Sequence, residues 1–553
     1  YAVMNPISFI QQTNTRKVLS AAPAFLQQEE GAQDLGDPPL RGLPAITNKI
    51  AHAVLERHPT LSCMLRRHGK KSVASYICEY TGFVCDANNR LRQSECIEAI
   101  GCEAEKVYGP RLAASTCMQL KHYFFASTTD HHGPLHNPWV LNYNLLAGNE
   151  ALAHPDSALC NVITLACSNV SLNNFSFPRG ISFSADGAHA RGQRKMSFFS
   201  NKFVGSRGVI TQPAYDRASI ERMMEGLHEL RSSCSISRES FFSLQRVLRT
   251  LYAHPDVLSC STYAHQIGRI NFLLWERFNF RSNKKNVRFI YLEQEAVVRR
   301  LIVSHHLKKD TLLHRVLFDT SENPLVKKYF EGMKTCFNEN DCDGTYLFWA
   351  LCPQSGTRLQ LWKKGGHLVS NDGSISIALT SEAIGLALRR GTLIPSVLTT
   401  FMVLCFYYGL TCFGGLGQVA YLPVMKKAYE EMVLSLGDTE SLHACQHIET
   451  DRLGGEIIIA FLAQRSGRVV PATAIDLLLY GNGSTNSDIA NIARTVSFSD
   501  AMMVTMPTEY PMRYSPSERD PALSAVTMED IASEMAQAHR IEPVLSTVQS
   551  SSF

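Results

Sequence analysis

The sequence predicts an α/β protein with helical additions before and after a central core. Three observations predict it. Asn161–Cys167 is a short β-branched run of strand length that leads directly into a polar segment, and polar residues at the end of a buried strand are where open α/β sheets hold ligands. Asn286–Leu292, with VRFIYL at its centre, is a second strand; Glu293 ends it and Glu295–His306 carries helical periodicity. Hydrophobic residues make up 45% of the 553-residue chain and charged residues 19%, which fits large buried cores and excludes a disordered or fibrous chain.

In order, residues 1–45 are rich in Gln, Ala, Gly and Pro and read as an extended arm. Residues 46–125 read as helical, over Ile46–Leu65, Lys71–Thr81, Ser94–Val107 and Pro110–Phe125, with Gly and Asn/Asp interruptions. The polar loop Ala126–Pro138 opens a core expected over 126–430 and leads into Trp139–Leu146. After the strand at 161–167 comes the polar segment Ser168–Gly180. Ser219–Leu230 and Ser240–Leu251 are helix patterns. Thr345–Leu351 and Thr357–Lys363 read as an antiparallel pair, Asn371-Asp372-Gly373 as a turn, and Ser381–Arg390 as a helix whose Glu382 and Arg389-Arg390 suit the helix dipole. Residues 431–553 are mixed and mainly helical, with Gly454–Ala463 and Ala472–Tyr480 as apolar helix candidates.

From Gly391 to Val424 there is no charged residue. Leu393–Leu410 approaches the length of a membrane span, but Pro395, Ser396, Thr399, Thr400 and Gly409 interrupt it. Basic residues flank the stretch at both ends (Arg389, Arg390; Lys426, Lys427), so the inside-positive asymmetry is missing. We read a buried helix that delivers the glycine turn Phe413–Gln418 to the core.

The net charge of +4 is mild and interspersed. It shows no concentrated basic footprint for nucleic acid; Arg191–Lys195 and Lys284-Lys285 read as solvated loops. The sixteen cysteines include no CxxC, and their local spacings of five or six residues do not match zinc sites. Several lie in apolar runs, where a thiol packs as a small hydrophobe. This usage points to an intracellular, reducing compartment with few or no disulfides. The first 28 residues hold no acid and two bases, Arg16 and Lys17, a composition shared with organelle-targeting leaders; no signal-peptide pattern is present.

Three constellations could carry chemistry. Asp130-His131-His132 with His136 places three imidazoles and a carboxylate in seven residues. The set suits acid–base work near neutral pH, a metal held by His131, His132 and His136, or a loop of capping hydrogen bonds. Adjacent histidines on an extended chain point to opposite faces, which counts against the metal. The second is Ser168–Gly180, where Asn169, Asn173, Asn174 and Arg179 could grip a carboxylate or phosphate, or form a turn-rich connector. The third is the glycine turn: Gly415 and Gly417 permit close backbone approach, so amides could face an anion at the next helix start, with Gln418 and Tyr421 beside it. The alternative is a tight turn between core segments. It is neither a GxGxxG nor a P-loop.

The segment Gly414-Gly415-Leu416-Gly417-Gln418-Val419-Ala420-Tyr421 resembles a motif of the cysteine-adding enzyme family of bacillithiol biosynthesis. Members carry a Gly-Pro-Gly-acid turn followed by an apolar residue, Ala-Tyr and a helix. His132-Gly133-Pro134-Leu135 and Thr164–Asn174 resemble further patches in comparable order. Gln418 stands where the family has an acid, and Asp130-His131-His132 stands where it has paired glutamines. The resemblance implies a Rossmann-like core and a small polar ligand, with an adenine nucleotide as the cofactor class. It does not carry over the reaction.

The leading expectation is a soluble enzyme of group transfer or C–N ligation on a small polar, amine- or carboxylate-bearing substrate. His132 or His136 would act as base, Asp130 would orient it, and Arg179 with Asn169 and Asn173 would hold an anion. The alternatives are a non-catalytic binding or assembly subunit, oligomeric or part of a larger complex, and a metal-dependent hydrolase using the Asp130–His136 loop.

Overall fold

The computed structural model describes residues 40–79, 90–189, 192–199, 207–308, 311–483 and 485–547. The arm expected over 1–45 therefore lies outside the described residues up to position 39.

Helices α1 (Ala45–Glu56), α2 (Pro59–His68), α3 (Val73–Cys78), α4 (Arg90–Tyr108) and α5 (Pro110–Leu120) precede the first strand. The single helix expected over Ile46–Leu65 is divided because Pro59 lacks an N–H and opens a new helix, with His58 Nδ1 accepting from the Leu61 amide as its cap. The helix expected over Pro110–Phe125 stops at Leu120, and residue 125 opens a strand.

The chain continues through β1 (Phe125–Ser127), α6 (Pro138–Ala153), β2 (Asn161–Ala166), β3 (Gly180–Ser184), β4 (Gln193–Ser197), α7 (Arg217–Ser232), α8 (Arg238–Val247), α9 (Pro255–Leu258), α10 (Tyr263–Arg277), β5 (Arg288–Glu293) and α11 (Gln294–Leu301). Next come α12 (Leu312–Leu317), α13 (Leu325–Phe330), β6 (Phe337–Asn338), β7 (Asp343–Gly344), β8 (Phe348–Leu351), β9 (Arg358–Lys364), β10 (His367–Ser370), β11 (Ser376–Ala378), α14 (Ser381–Arg389), β12 (Leu393–Pro395), α15 (Val397–Phe401), β13 (Thr411–Phe413), α16 (Leu416–Ser435) and α17 (Thr439–Gln446). The last are β14 (Phe461–Ala463), β15 (Val469–Pro471), α18 (Ala474–Tyr480), α19 (Thr485–Thr495), α20 (Phe498–Met503), α21 (Met506–Arg513), α22 (Pro521–Ser524), α23 (Met528–Gln537) and β16 (Leu545–Ser546).

The fold is α/β. Strands β13, β1, β2 and β5 form a parallel sheet in that spatial order. Its faces explain the sequence pattern. Phe125, Val162, Phe289, Tyr291 and Phe413 pack into one core, while Ala126, Ile163, Leu165, Ile290, Leu292 and Cys412 pack into the other. A parallel strand buried on both faces reads as a largely apolar run, as 161–166 does, where the buried Thr164 hydroxyl donates to Asn144 Oδ1 at 3.1 Å. The expected antiparallel pair is β8–β9, within the sheet β11-β10-β9-β8-β12.

Four local expectations are corrected. Leu393–Leu410 is not one helix: Leu393–Pro395 pairs with β8, Ser396 caps α15, and a π-helical turn over Met402–Tyr407 leads to Gly409 at φ +77° and then β13. Pro395 and a left-handed glycine end-point divide the run. Gly454–Ala463 is not helical either, because its amides are spent elsewhere. Ile459 and Ala460 donate to Asn142 Oδ1 at 3.1 and 2.8 Å, and Ile458 donates to the Ala501 carbonyl at 3.1 Å. Of Arg191–Lys195, expected as a solvated loop, residues Gln193, Arg194 and Lys195 lie in strand β4, paired with β3. Lys285, expected to be solvated, is 9% exposed, and its Nζ donates to the carbonyls of Ala151, Ser157 and Leu159. Among the described residues no helix is long and apolar enough to cross a membrane, and no disulfide links the described cysteines.

Candidate functional site

In chain order the parallel sheet runs β1, β2, β5 in one direction and then returns β13 to the other side of β1. The strand order therefore reverses between β1 and β13, and ligands of open α/β sheets lie outside the carboxyl ends of the strands at such a reversal. Three segments singled out in the sequence meet at this edge. The Thr128 amide donates to the Phe413 carbonyl at 2.7 Å, and its hydroxyl donates to Gln418 Oε1 at 2.9 Å. His131 Nδ1 lies 2.9 Å from Asn174 Oδ1, and His136 Nε2 lies 3.1 Å from the Ser176 carbonyl. The histidine loop thus contacts both the glycine turn and the Ser168–Gly180 segment.

Asp130 lies just past the carboxyl end of β1, after Thr128 and Thr129, and is 1% exposed. Among the described residues neither carboxylate oxygen meets a donor at full hydrogen-bonding geometry. Burial pushes its pKa from 3.8 up to about 7, while the Asn144 amide and Tyr291 hydroxyl lean toward it and pull the other way. An ionised carboxylate is costly in such a place unless paired.

The expected Asp130–His132 pairing does not form. His132 Nε2 faces the Ala264 carbonyl at 3.0 Å, its ring lies against Tyr291, and its Nδ1 is buried without a partner among the described residues. His136 Nδ1 likewise meets no acceptor at full hydrogen-bonding geometry, although the Pro134 carbonyl leans toward the ring. Burial lowers both imidazoles to about 4, so each is neutral at pH 7 and a weak base. His131, His132 and His136 turn their rings to three different partners, and the structure does not gather them as a ligand set.

Asn169 is held by its own chain: its amide donates to Glu295 Oε1 at 3.0 Å, and its carbonyl and Oδ1 accept from Arg358 Nη1 at 2.8 and 3.2 Å. Arg179 donates to Asn173 Oδ1 and lies over the Phe177 ring, so Arg179 and Asn169 do not form the joint anion grip expected of them. Asn174 serves His131 and the Ser176 amide. Gln418 is buried, and its Nε2 donates to the Cys412 carbonyl at 3.4 Å. Tyr421 is partly buried on α16, near Phe401, and burial followed by the Cys167 thiol raises its hydroxyl pKa.

The glycine turn does face a carboxylate, but one from the same chain. Glu456 Oε2 accepts from the Leu416 amide at 3.1 Å, at the start of α16. A Cβ on Gly415 would lie 2.9 Å from Glu456 Oε1. Close approach, rather than positive φ, is what the turn requires: Gly414, Gly415 and Gly417 all avoid the left-handed region. Burial and then the Glu509 charge push Glu456 up to about 8.

Other residues of this edge escaped sequence reasoning. Glu295 accepts from the Cys167 thiol at 3.2 Å and from the Ser168 amide and hydroxyl at 2.9 and 2.8 Å. Burial followed by the Glu295 charge pushes Glu293 up to about 8. Arg358 stacks over Trp349. Glu293 and Glu295 were signalled by an acid at a strand end; Arg358 arrives from β9 with no local signal. The Gly454-Gly455 pair before Glu456 is its local signal, inside a stretch whose apolar content predicts a helix.

Compared with known proteins, the chain matches no family model and shows no significant similarity to a curated protein.

Proposed function

We propose that the chain is an α/β enzyme of group transfer or C–N bond formation that takes a small polar, amine-bearing substrate at the carboxyl edge of its parallel sheet. The observation that carries this reading is Asp130, a buried carboxyl at the strand-order reversal that no neighbour neutralises. Its pKa near 7 matches it to neutral-pH base chemistry, better than His132 or His136 near 4. Glu293 and Glu456, each pushed up to about 8, are largely protonated at pH 7 and add neutral hydrogen-bonding acids at the same edge, so the amine-bearing class rests on Asp130 acting as the base. In this reading Asp130 accepts the proton an amine loses as its nitrogen bonds to an electrophilic carbon, whose leaving group departs with its electron pair. The strand-order reversal supports a Rossmann-like description of the core.

The test is a thermal-shift screen at pH 8 with amino acids, amino sugars and nucleotides, on the wild type and on Asp130→Asn. The reading expects an amine-bearing compound to raise the wild-type midpoint and leave the variant unmoved. If no compound shifts the wild type, or if the variant responds equally, the reading is wrong.

A further inference from the structure

At the opposite end of α6, far along the chain from the histidine loop, a second set of donors converges. Cys78 ends α3, Glu150 lies in the last turn of α6, and His154 caps that helix. One ligand atom from each, all within 4.8 Å of one another, forms a thiol–carboxylate–imidazole cluster. Glu150 is its hub: Oε1 lies 2.9 Å from His154 Nε2, and the Cys78 thiol hydrogen-bonds the same side chain. Glu150 and His154 are one helical turn apart, the spacing that puts two side chains on one face.

From this geometry we infer that Cys78, Glu150 and His154 form a binding site for a borderline divalent transition ion of the zinc class. One thiolate, one imidazole and one carboxylate are the donor types zinc takes, and three protein ligands leave a fourth position open. Bond lengths of 2.0–2.3 Å place tetrahedral donors about 3.5 Å apart, so the cluster has roughly one ångström to close. Cys78 and the His154 side chain are exposed and Glu150 is half-buried, which leaves their rotamers free to make that movement. Two features favour a cation here. Both α3 and α6 end at the cluster; the carboxyl end of α3 carries partial negative charge, whereas that of α6 is already met by the Lys285 ammonium. The last turn of α6 also has no basic residue. The backbone beneath is fixed, since Lys285 Nζ donates to the carbonyls of Ala151 and His154. In the metal-free state the thiol proton and the imidazole N–H point to the carboxylate. Binding replaces the thiol proton with the metal–sulfur bond and releases that proton to solvent.

The test is a Co2+ titration of the full chain, followed by ultraviolet and visible absorption, with Zn2+ competition. The expected result is one Co2+ per chain, with a thiolate charge-transfer band that Zn2+ removes. That band is lost in Cys78→Ser and weakened in Glu150→Gln and His154→Gln, and it is kept in Cys234→Ser, a variant of an exposed cysteine outside the cluster. Zn2+ also raises the thermal-unfolding midpoint of the wild type but not of Cys78→Ser, and unfolding in the absence of metal checks that each variant is folded. The absence of a saturable band, or its survival in Cys78→Ser, overturns the proposal.

Discussion

The carboxylate of Glu295, at the start of α11, holds the end of β2: Oε2 accepts from both the amide and the hydroxyl of Ser168, at 2.9 and 2.8 Å. Its other oxygen accepts from the Cys167 thiol and the Asn169 amide. All these donors come from three consecutive residues after a central strand, so one acid fixes the backbone from which the neighbouring loop departs. Glu295→Gln keeps the shape but presents an NH2 group to donors. Leaving such buried donors unmatched costs about 3 kcal/mol. Urea denaturation at pH 7 should show that loss, and an unchanged midpoint would mean the network is not formed in solution.

Asp130 gives a prediction of opposite sign. Its folded pKa, raised from 3.8 to about 7, means that the native state holds a proton that the unfolded chain releases. Its stabilising contribution is complete below pH 3.8 and falls as pH rises from 3.8 to 7. Above 7 the cost is constant, on the order of 4 kcal/mol. Asp130→Asn removes this cost, so the variant should be more stable than the wild type at pH 8, and the difference should vanish near pH 4. Equal unfolding free energies at pH 8 would place the carboxylate in a wetter or better-paired site than the structure gives it.

The buried histidines act the other way. His132 and His136 are lowered from 6.5 to about 4, by burial in each case. Their neutral forms stabilise the fold above pH 6.5, and that contribution is lost as pH falls from 6.5 toward 4. His132→Asn and His136→Asn should each flatten the acid limb of the stability curve between those values. Asp130→Asn should steepen it, because the opposing gain from protonating Asp130 is gone. A stability profile against pH for the three variants checks both signs.

How much of this was legible in the sequence depends on how local the determinants are. The strands at 161–166 and 288–293 are readable because burial on both faces leaves a parallel strand with a largely apolar interior, Val162, Ile163, Leu165 and Ala166 in one and Phe289–Leu292 in the other. The β8–β9 pair was readable from its turn. The segments of the site were found, but not the contacts within them. Sequence proximity pairs Asp130 with His132 or His136, yet the chain sends those imidazoles to the Ala264 and Ser176 carbonyls. Gln418 stands where the resembled motif has an acid. The acid at that turn is Glu456, supplied from forty residues further on through a stretch that looked helical because apolar residues dominate it. Asn142 diverts the amides that would have made that helix, and a side chain so far away leaves no periodic trace.

The glycines at the β1–β13 edge separate packing from chain flexibility. A Cβ on Gly455 would sit 2.4 Å from Thr129 Cγ2 and 3.3 Å from the Gly415 Cα, so the Thr129, Gly415 and Gly455 segments pack at a spacing that only glycine allows. Gly455→Ala must push the Thr129 side chain, and with it the loop carrying Asp130, away from the turn. A cost of about 2 kcal/mol is expected for such overpacking. Gly417 is exposed in the first turn of α16, and a Cβ there would meet nothing within 4 Å. Gly417→Ala should therefore be neutral or stabilising by up to about 1 kcal/mol, through helix propensity alone. Urea denaturation of the two variants side by side tests the arrangement. A large loss for Gly455→Ala with none for Gly417→Ala is the signature of close approach at this edge. Equal effects would mean that the glycines serve only chain flexibility, and that the loop bearing Asp130 is not held against the turn.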